Sequence, residues 1–438
     1  MPSKSLDEIA ARAKAASLTL AGISTEIKNQ ALLAMADALE AHSTEILEAN
    51  SKDLEYAKKE NLPGPLIARL AVNENKITGM SEGIRSVASL QDPVGECQMA
   101  MELDEGLTLT RVTCPLGVIG AIFEARPDAV PQISSLCLKS GNAVILKGGA
   151  EAQNSNRVIV ENLRKAVGTI EGVPVDAIQL IETREEVAEM LKQDEYINLI
   201  VPRGSNAFVR HVQDNTRIPV LGHSEGLCHV YIDSKADPEK ALAIALDSKL
   251  QYPAACNAME TLLIHSKVPP ELIPELVHAF KEKQVDLVGC VRSCTLVPGL
   301  DRADESEWDT EYNDLKLAIK LVDSLDEAIA HINKHGSGHT DTIVTENPKA
   351  AERFMNEVDS SSVMLNASTR FADGFRFGLG AEIGISTNKT HARGPVGLEG
   401  LVIYKYKVKG QGQTVSEYSD ANGKSFTHKA LPLPTNNG

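Results

Sequence analysis

One cysteine stands where a thiol can act. Cys256 lies in Tyr252-Pro253-Ala254-Ala255-Cys256-Asn257-Ala258-Met259-Glu260-Thr261, and of the seven cysteines it alone sits between small residues after a proline-led turn. Ala254, Ala255 and Ala258 leave its sulfur sterically open, and the stretch that follows reads as the start of a helix. Backbone N–H groups at a helix N-terminus favour a thiolate, the attacking form, and lower a cysteine pKa from about 8.5 to roughly 3.5–7.5. The alternative is a structural thiol packed in the core, the usual fate of a free cysteine.

Two further patterns suit an anionic ligand. Leu146-Lys147-Gly148-Gly149 places a lysine and two glycines after an apolar run, where glycine admits a phosphate close to backbone. A turn with a solvated lysine explains it equally well. Arg203-Gly204-Ser205-Asn206 repeats the idea: Ser205 either caps the next helix or helps it face a pyrophosphate. No G-x-G-x-x-G follows a predicted strand, and Gly378-Leu379-Gly380-Ala381-Glu382-Ile383-Gly384 has one residue too many, which disfavours an ordinary dinucleotide fingerprint. Arg126, Arg370, Arg376 and Arg393 sit among Gly, Pro and aromatic residues, as in pocket loops, where a guanidinium captures carboxylate or phosphate. His335-Gly336-Ser337-Gly338-His339 and Cys290/Cys294 lack metal-ligand spacing, so no metal is expected.

The elements that must carry these residues alternate. Short apolar runs at 118–123, 143–146, 177–181 and 197–201 read as strands, with helices at 128–140, 155–167 and 185–192 between them. The pattern restarts with strands at 229–232 and 261–264 and helices at 238–250 and 271–283. Such alternation predicts a doubly wound α/β fold whose ligands lie at the carboxyl ends of its strands. Two amphipathic helices and a charged helical stretch at 52–60 open the chain, 99–113 reads as a hairpin or flap, and 410–438 as an arm or tail.

With 438 residues, 42% hydrophobic and 24% charged, the chain can bury a core of two or three domains. A net charge of −16 without a basic cluster argues against nucleic acid or an anionic membrane as partner. The scattered, odd-numbered cysteines and the absence of an apolar leader point to a reducing cytoplasm.

The segment 252–263, the stretch 322–343 and the run from Asn366 to Gly400 together resemble the gamma-glutamyl phosphate reductases of the aldehyde dehydrogenase superfamily. The resemblance reaches from the first helices to about Tyr406. It implies a Rossmann-like cofactor domain at 1–225 with a flap for oligomerisation at 97–115, a catalytic domain at 226–400 and an oligomerisation strand and tail at 401–438. It further implies NADPH-dependent reduction of L-glutamyl 5-phosphate to glutamate 5-semialdehyde, the second step of proline synthesis, in a homo-oligomer (dimer or tetramer) that works with glutamate 5-kinase. Cys256 falls on the family's nucleophile, Lys147 on the lysine at the adenosine ribose, Gly204 and Ser205 on the Gly-Ser turn, and Glu382 on the glutamate at the nicotinamide ribose. Arg126, Arg370 and Arg393 are the candidates for the substrate's anionic groups.

Two departures matter. The asparagine that helps form the oxyanion hole in broader aldehyde dehydrogenases is missing from Phe123-Glu124-Ala125-Arg126-Pro127, so that role passes to backbone N–H at Cys256 and to the Asn257 side chain. The water-activating glutamate of hydrolytic relatives has only a shifted counterpart, Glu225. An aldehyde-oxidising enzyme and a non-catalytic scaffold are the rival readings.

Overall fold

The computed structural model describes residues 5–223, 225–419 and 423–434. Its first sheet is built from the strands Ile178–Ile181, Ala143–Lys147, Val118–Phe123 and Leu199–Arg203, all parallel and in that spatial order. These runs are mostly apolar and do not alternate because helices cover both faces; every residue of Val118–Phe123 is buried. The opening helices Leu6–Leu20 and Thr25–Ala41, N-capped by Ser5 and Ser24, pack into the same core. The helix Ala129–Lys139 stops at Gly141, whose φ of +74° a residue with a Cβ rarely adopts.

The second sheet has seven parallel strands in the order Asp301–Arg302, Asp286–Gly289, Lys316–Val322, Met259–His265, Cys228–Ile232, Thr340–Val344, Ser362–Leu365. A third, antiparallel sheet joins the hairpin Cys97–Asp104 and Leu107–Pro115 to Val402–Lys409 on one side and Lys429–Ala430 on the other. The segment after residue 372 does not stay with the second sheet, although it falls within 226–400. Ile383, Val396, Leu398 and Leu401 return to the first core.

The helix expected after Cys256 is not there. The residues that follow form the strand Met259–His265, buried at all seven positions. With both faces covered the run shows no period of two, and the small residues around Cys256 imitate a helix start.

A buried histidine under the second sheet gives a stability prediction. His331 accepts a hydrogen bond at Nδ1 from the Lys320 ammonium (3.0 Å), and its Nε2 has no partner among the described residues. Burial, reinforced by His229 and Lys320, pushes its pKa down to about 2. The unfolded chain takes up a proton near pH 6.5 while the fold refuses it. The stability is therefore present above pH 6.5 and lost below it, at about 1.4 kcal/mol per pH unit. Replacing His331 with Gln should make the stability loss between pH 7 and pH 5 about 2 kcal/mol smaller than in the wild type. Urea unfolding followed by Trp308, the single tryptophan, 5.7 Å from the His331 ring, measures it.

Candidate active site

Cys256 lies in the loop between the helix Pro238–Leu250 and the strand Met259–His265. Both ends of the loop are pinned by one ion pair. The Lys249 ammonium meets the Glu260 carboxylate at 2.7 Å with both side chains fully buried, and Glu260 also accepts the Asn313 N–H. Burial pushes the Glu260 carboxyl up to about 7 against the pull of Lys249, and it pulls the Lys249 ammonium down. Removing one partner leaves a buried charge alone. The variant Glu260→Ala should cost roughly 3–5 kcal/mol of stability in chemical denaturation.

The loop leaves the sulfur half-buried at the wall of a cavity of about 760 Å³. Among the described residues no acceptor engages the backbone N–H of Cys256 or Asn257. Two imidazoles stand beside the sulfur: ligand atoms of His223, Cys256 and His339 all lie within 4.8 Å of one another. His223 donates its Nδ1 proton to the Ile385 carbonyl (3.0 Å), which leaves Nε2 as the ring nitrogen available to a ligand. The buried His339 has Nδ1 against the Thr340 hydroxyl (2.8 Å) and an Nε2 with no partner among the described residues. The three residues sit at the amino ends of three adjacent strands of the second sheet, whereas the carboxyl-end rule applies to the first.

The opposite wall comes from the first sheet. Phe123 pairs with Arg203 and Ile122 with Lys147, so Glu124, the Lys147-Gly148-Gly149 turn and the Arg203-Gly204-Ser205 turn crown one carboxyl edge. The crevice between Val118–Phe123 and Leu199–Arg203 is where the strand order reverses. A Cβ on Gly204 would press on Phe208 at 3.0 Å and on the Glu124 carboxyl at 3.2 Å, so glycine keeps this turn low. Ser205 caps the helix Asn206–Asp214 by accepting the Phe208 N–H, and it lines the cavity as well. Glu382 accepts the Gly374 N–H (2.8 Å), and burial raises its carboxyl above the ordinary range despite that bond and the nearby Arg203.

A family model for the aldehyde dehydrogenase family matches residues 2–289 and 317–381. Over 426 residues the chain is 55% identical to the gamma-glutamyl phosphate reductase of Pelotomaculum thermopropionicum, covering 97% of this chain and 98% of that one. It is 54% identical to the enzyme of the same name from Methanosarcina acetivorans, with 96% of each covered. The crystal structure of gamma-glutamyl phosphate reductase from Thermotoga maritima superposes with a TM-score of 0.92 at 41% identity, covering 94% of this chain and all of that one. The chain belongs to the gamma-glutamyl phosphate reductase branch of the aldehyde dehydrogenase family. Its fold is that family's fold.

Within this reductase fold the predicted residues divide. Cys256, Gly204, Ser205, Glu382 and Arg126 line the one cavity. Lys147 lies beyond it along the same carboxyl edge, nearly buried, where burial lowers its pKa against the pull of Glu151. Arg370 is buried and donates to Gln251 (2.9 Å) beside the Tyr252 ring, close enough to Cys256 for the two charges to interact, although it does not line the cavity. Arg393 is bound to Asp359 through its side chain (3.0 Å) and backbone carbonyl (2.9 Å) and lines a separate groove, so the geometry does not bring it to the sulfur. Asn257 spends its amide on the Ala372 carbonyl (2.8 Å) and is itself buried, which makes it a brace and not an oxyanion donor. Glu225 is ion-paired with Arg210.

Sequence reasoning passed over Arg203, Lys76 and His223. Arg203 and Lys76 join Arg126 on the cavity wall, and Arg203 donates to Gln132 (3.3 Å). Burial and the Arg126 charge weaken the hold of Arg203 on its proton, and Glu382, Asp128 and Cys256 oppose them. Arg203 was visible in the Arg203-Gly204-Ser205 turn; Lys76 sits on a helix some fifty residues upstream of Arg126, with no local signal.

Proposed function

We propose that this chain reduces L-glutamyl 5-phosphate to L-glutamate 5-semialdehyde and phosphate, with NADPH as reductant, in proline synthesis. The observation that carries the reading is one half-buried thiol facing a nucleotide-type crevice across a single cavity walled by Lys76, Arg126 and Arg203. The relatives' shared name supplies the substrate.

The crevice fits a dinucleotide by its own features: the low turn at Gly204, the open N-terminus of the helix after Ser205, and the nearly buried Lys147 ammonium. Lys147, Gly204 and Ser205 would hold its phosphate and ribose groups, and Glu382 the ribose nearest the sulfur. When bound, the nicotinamide supplies a hydride to the acyl carbon. His223 or His339 accepts the thiol proton. The Cys256 thiolate then attacks the acyl phosphate: a C–S bond forms, the C–O bond to phosphate breaks, and the backbone N–H groups of Cys256 and Asn257 hold the oxyanion. Arg203, together with Arg126 and Lys76 as they exchange Asp128 (3.0 and 3.3 Å) for the ligand, takes the departing phosphate and the substrate carboxylate. After reduction the C–S bond breaks, the aldehyde leaves, and the thiol is restored.

Glu225, tied to Arg210, gives no free carboxylate to activate water, which disfavours an aldehyde-oxidising role. The strand Val402–Lys409 is the edge of its sheet and exposes Ile403, Tyr404, Tyr406 and Val408, which supports a homo-oligomer, dimer or tetramer. Supply of a labile acyl phosphate favours work beside glutamate 5-kinase in the cytoplasm. No described helix is long and apolar enough to cross a membrane.

The test is the reverse reaction, NADP+ reduction by glutamate semialdehyde with and without inorganic phosphate. Phosphate should be obligatory and NADP+ preferred to NAD+; turnover independent of phosphate overturns the reading. In the same assay Arg126→Ala should raise KM for phosphate roughly tenfold to a hundredfold with a smaller change in kcat, the value of one charge-assisted hydrogen bond.

A further inference from the structure

We infer that Cys256, His223 and His339 form a binding site for a thiophilic divalent cation, Zn2+ above all, which caps the nucleophile and silences the enzyme reversibly. The donor set is one thiol and two imidazoles, all within 4.8 Å of one another. Both imidazoles present a ring nitrogen free to coordinate: His223 commits Nδ1 to the Ile385 carbonyl, and the fully buried His339 has Nε2 unpartnered among the described residues. A buried ring nitrogen without a partner is costly, and a cation satisfies it.

Tetrahedral Zn2+ takes sulfur at about 2.3 Å and nitrogen at about 2.0–2.1 Å, which sets its ligands roughly 3.5 Å apart. The ligand atoms must draw together by about an ångström to reach that spacing, and the cavity that Cys256 and His223 line has room for a fourth ligand, water or phosphate. Binding exchanges the S–H bond for an S–Zn bond and releases the proton to solvent, with no change of oxidation state. Local spacing hides the site, because His223, Cys256 and His339 come from three separate segments that the parallel sheet aligns.

The probe is Co2+, added to the full-length protein and read by thiolate-to-metal charge transfer in the near ultraviolet. The band should appear at one equivalent, disappear with EDTA or excess Zn2+, and be absent in Cys256→Ser. His223→Ala and His339→Ala should each weaken Co2+ binding by at least about a hundredfold, since loss of supporting residues alone costs 10–100-fold. Cys290→Ala should leave the band unchanged. A second readout needs no variant: Zn2+ should slow iodoacetamide labelling of Cys256, and EDTA should restore it. A charge-transfer band that survives Cys256→Ser, undiminished binding in both histidine variants, or labelling indifferent to Zn2+ overturns the site.

Discussion

Cys256→Ser should lower kcat by roughly 10⁴-fold or more while the dissociation constant for the nicotinamide nucleotide stays within about threefold of the wild type. The loss corresponds to about 5.4 kcal/mol of barrier. Serine matches the cysteine in shape, so the half-buried position and the cavity wall persist. What changes is the chemistry. A hydroxyl yields its proton to an imidazole far less readily than a thiol does, and an oxygen ester accepts hydride less readily than a thioester. Stopped-flow reduction and nucleotide fluorescence titration separate the two effects. A variant that keeps a tenth of wild-type turnover would remove Cys256 from the chemistry, whatever the cavity contains. Loss of nucleotide binding along with turnover would instead point to a collapsed crevice.

The sequence made the alternation of strand and helix visible because the parallel strands are buried on both faces and so read as unbroken apolar runs. The same property concealed the element after Cys256: a fully buried strand has no period, and Ala258-Met259-Glu260 passes for the first turn of a helix. The turn at Arg203-Gly204-Ser205 was legible because Gly and Ser each have a local mechanical reason to be there. Arg393 was not, since a guanidinium looks the same in sequence whether it awaits a ligand or is already held by Asp359. Nor was Asn257, whose amide faces a carbonyl 115 residues away. The cysteine's two imidazoles lie outside local pattern altogether, because only the register between Cys228 and Met259 and between His229 and Asp341 sets their strands side by side.

Gly226 shows the same dependence on distant chain, because its backbone packs directly against that of Cys256. A Cβ built on this residue would stand 2.6 Å from the Cα and carbonyl carbon of Cys256, and closer still to the carbonyl oxygen. Those atoms are backbone and cannot swing aside as a flexible side chain would, so one extra methyl must displace the Cys256 loop. The loop has little freedom to accept this, held as it is by the buried Lys249–Glu260 pair and by the bond from Asn257 to Ala372. A misplacement of about 1 Å at a reacting centre costs on the order of 10²-fold in rate. Overpacking of this kind costs roughly 1–3 kcal/mol of stability. Gly226→Ala should therefore stay folded, bind nucleotide normally and lose about a hundredfold in kcat, with little change in the iodoacetamide reactivity of the distant Cys290. Near-normal kcat in a folded Gly226→Ala protein would show that the nucleophile does not need the position the backbone gives it.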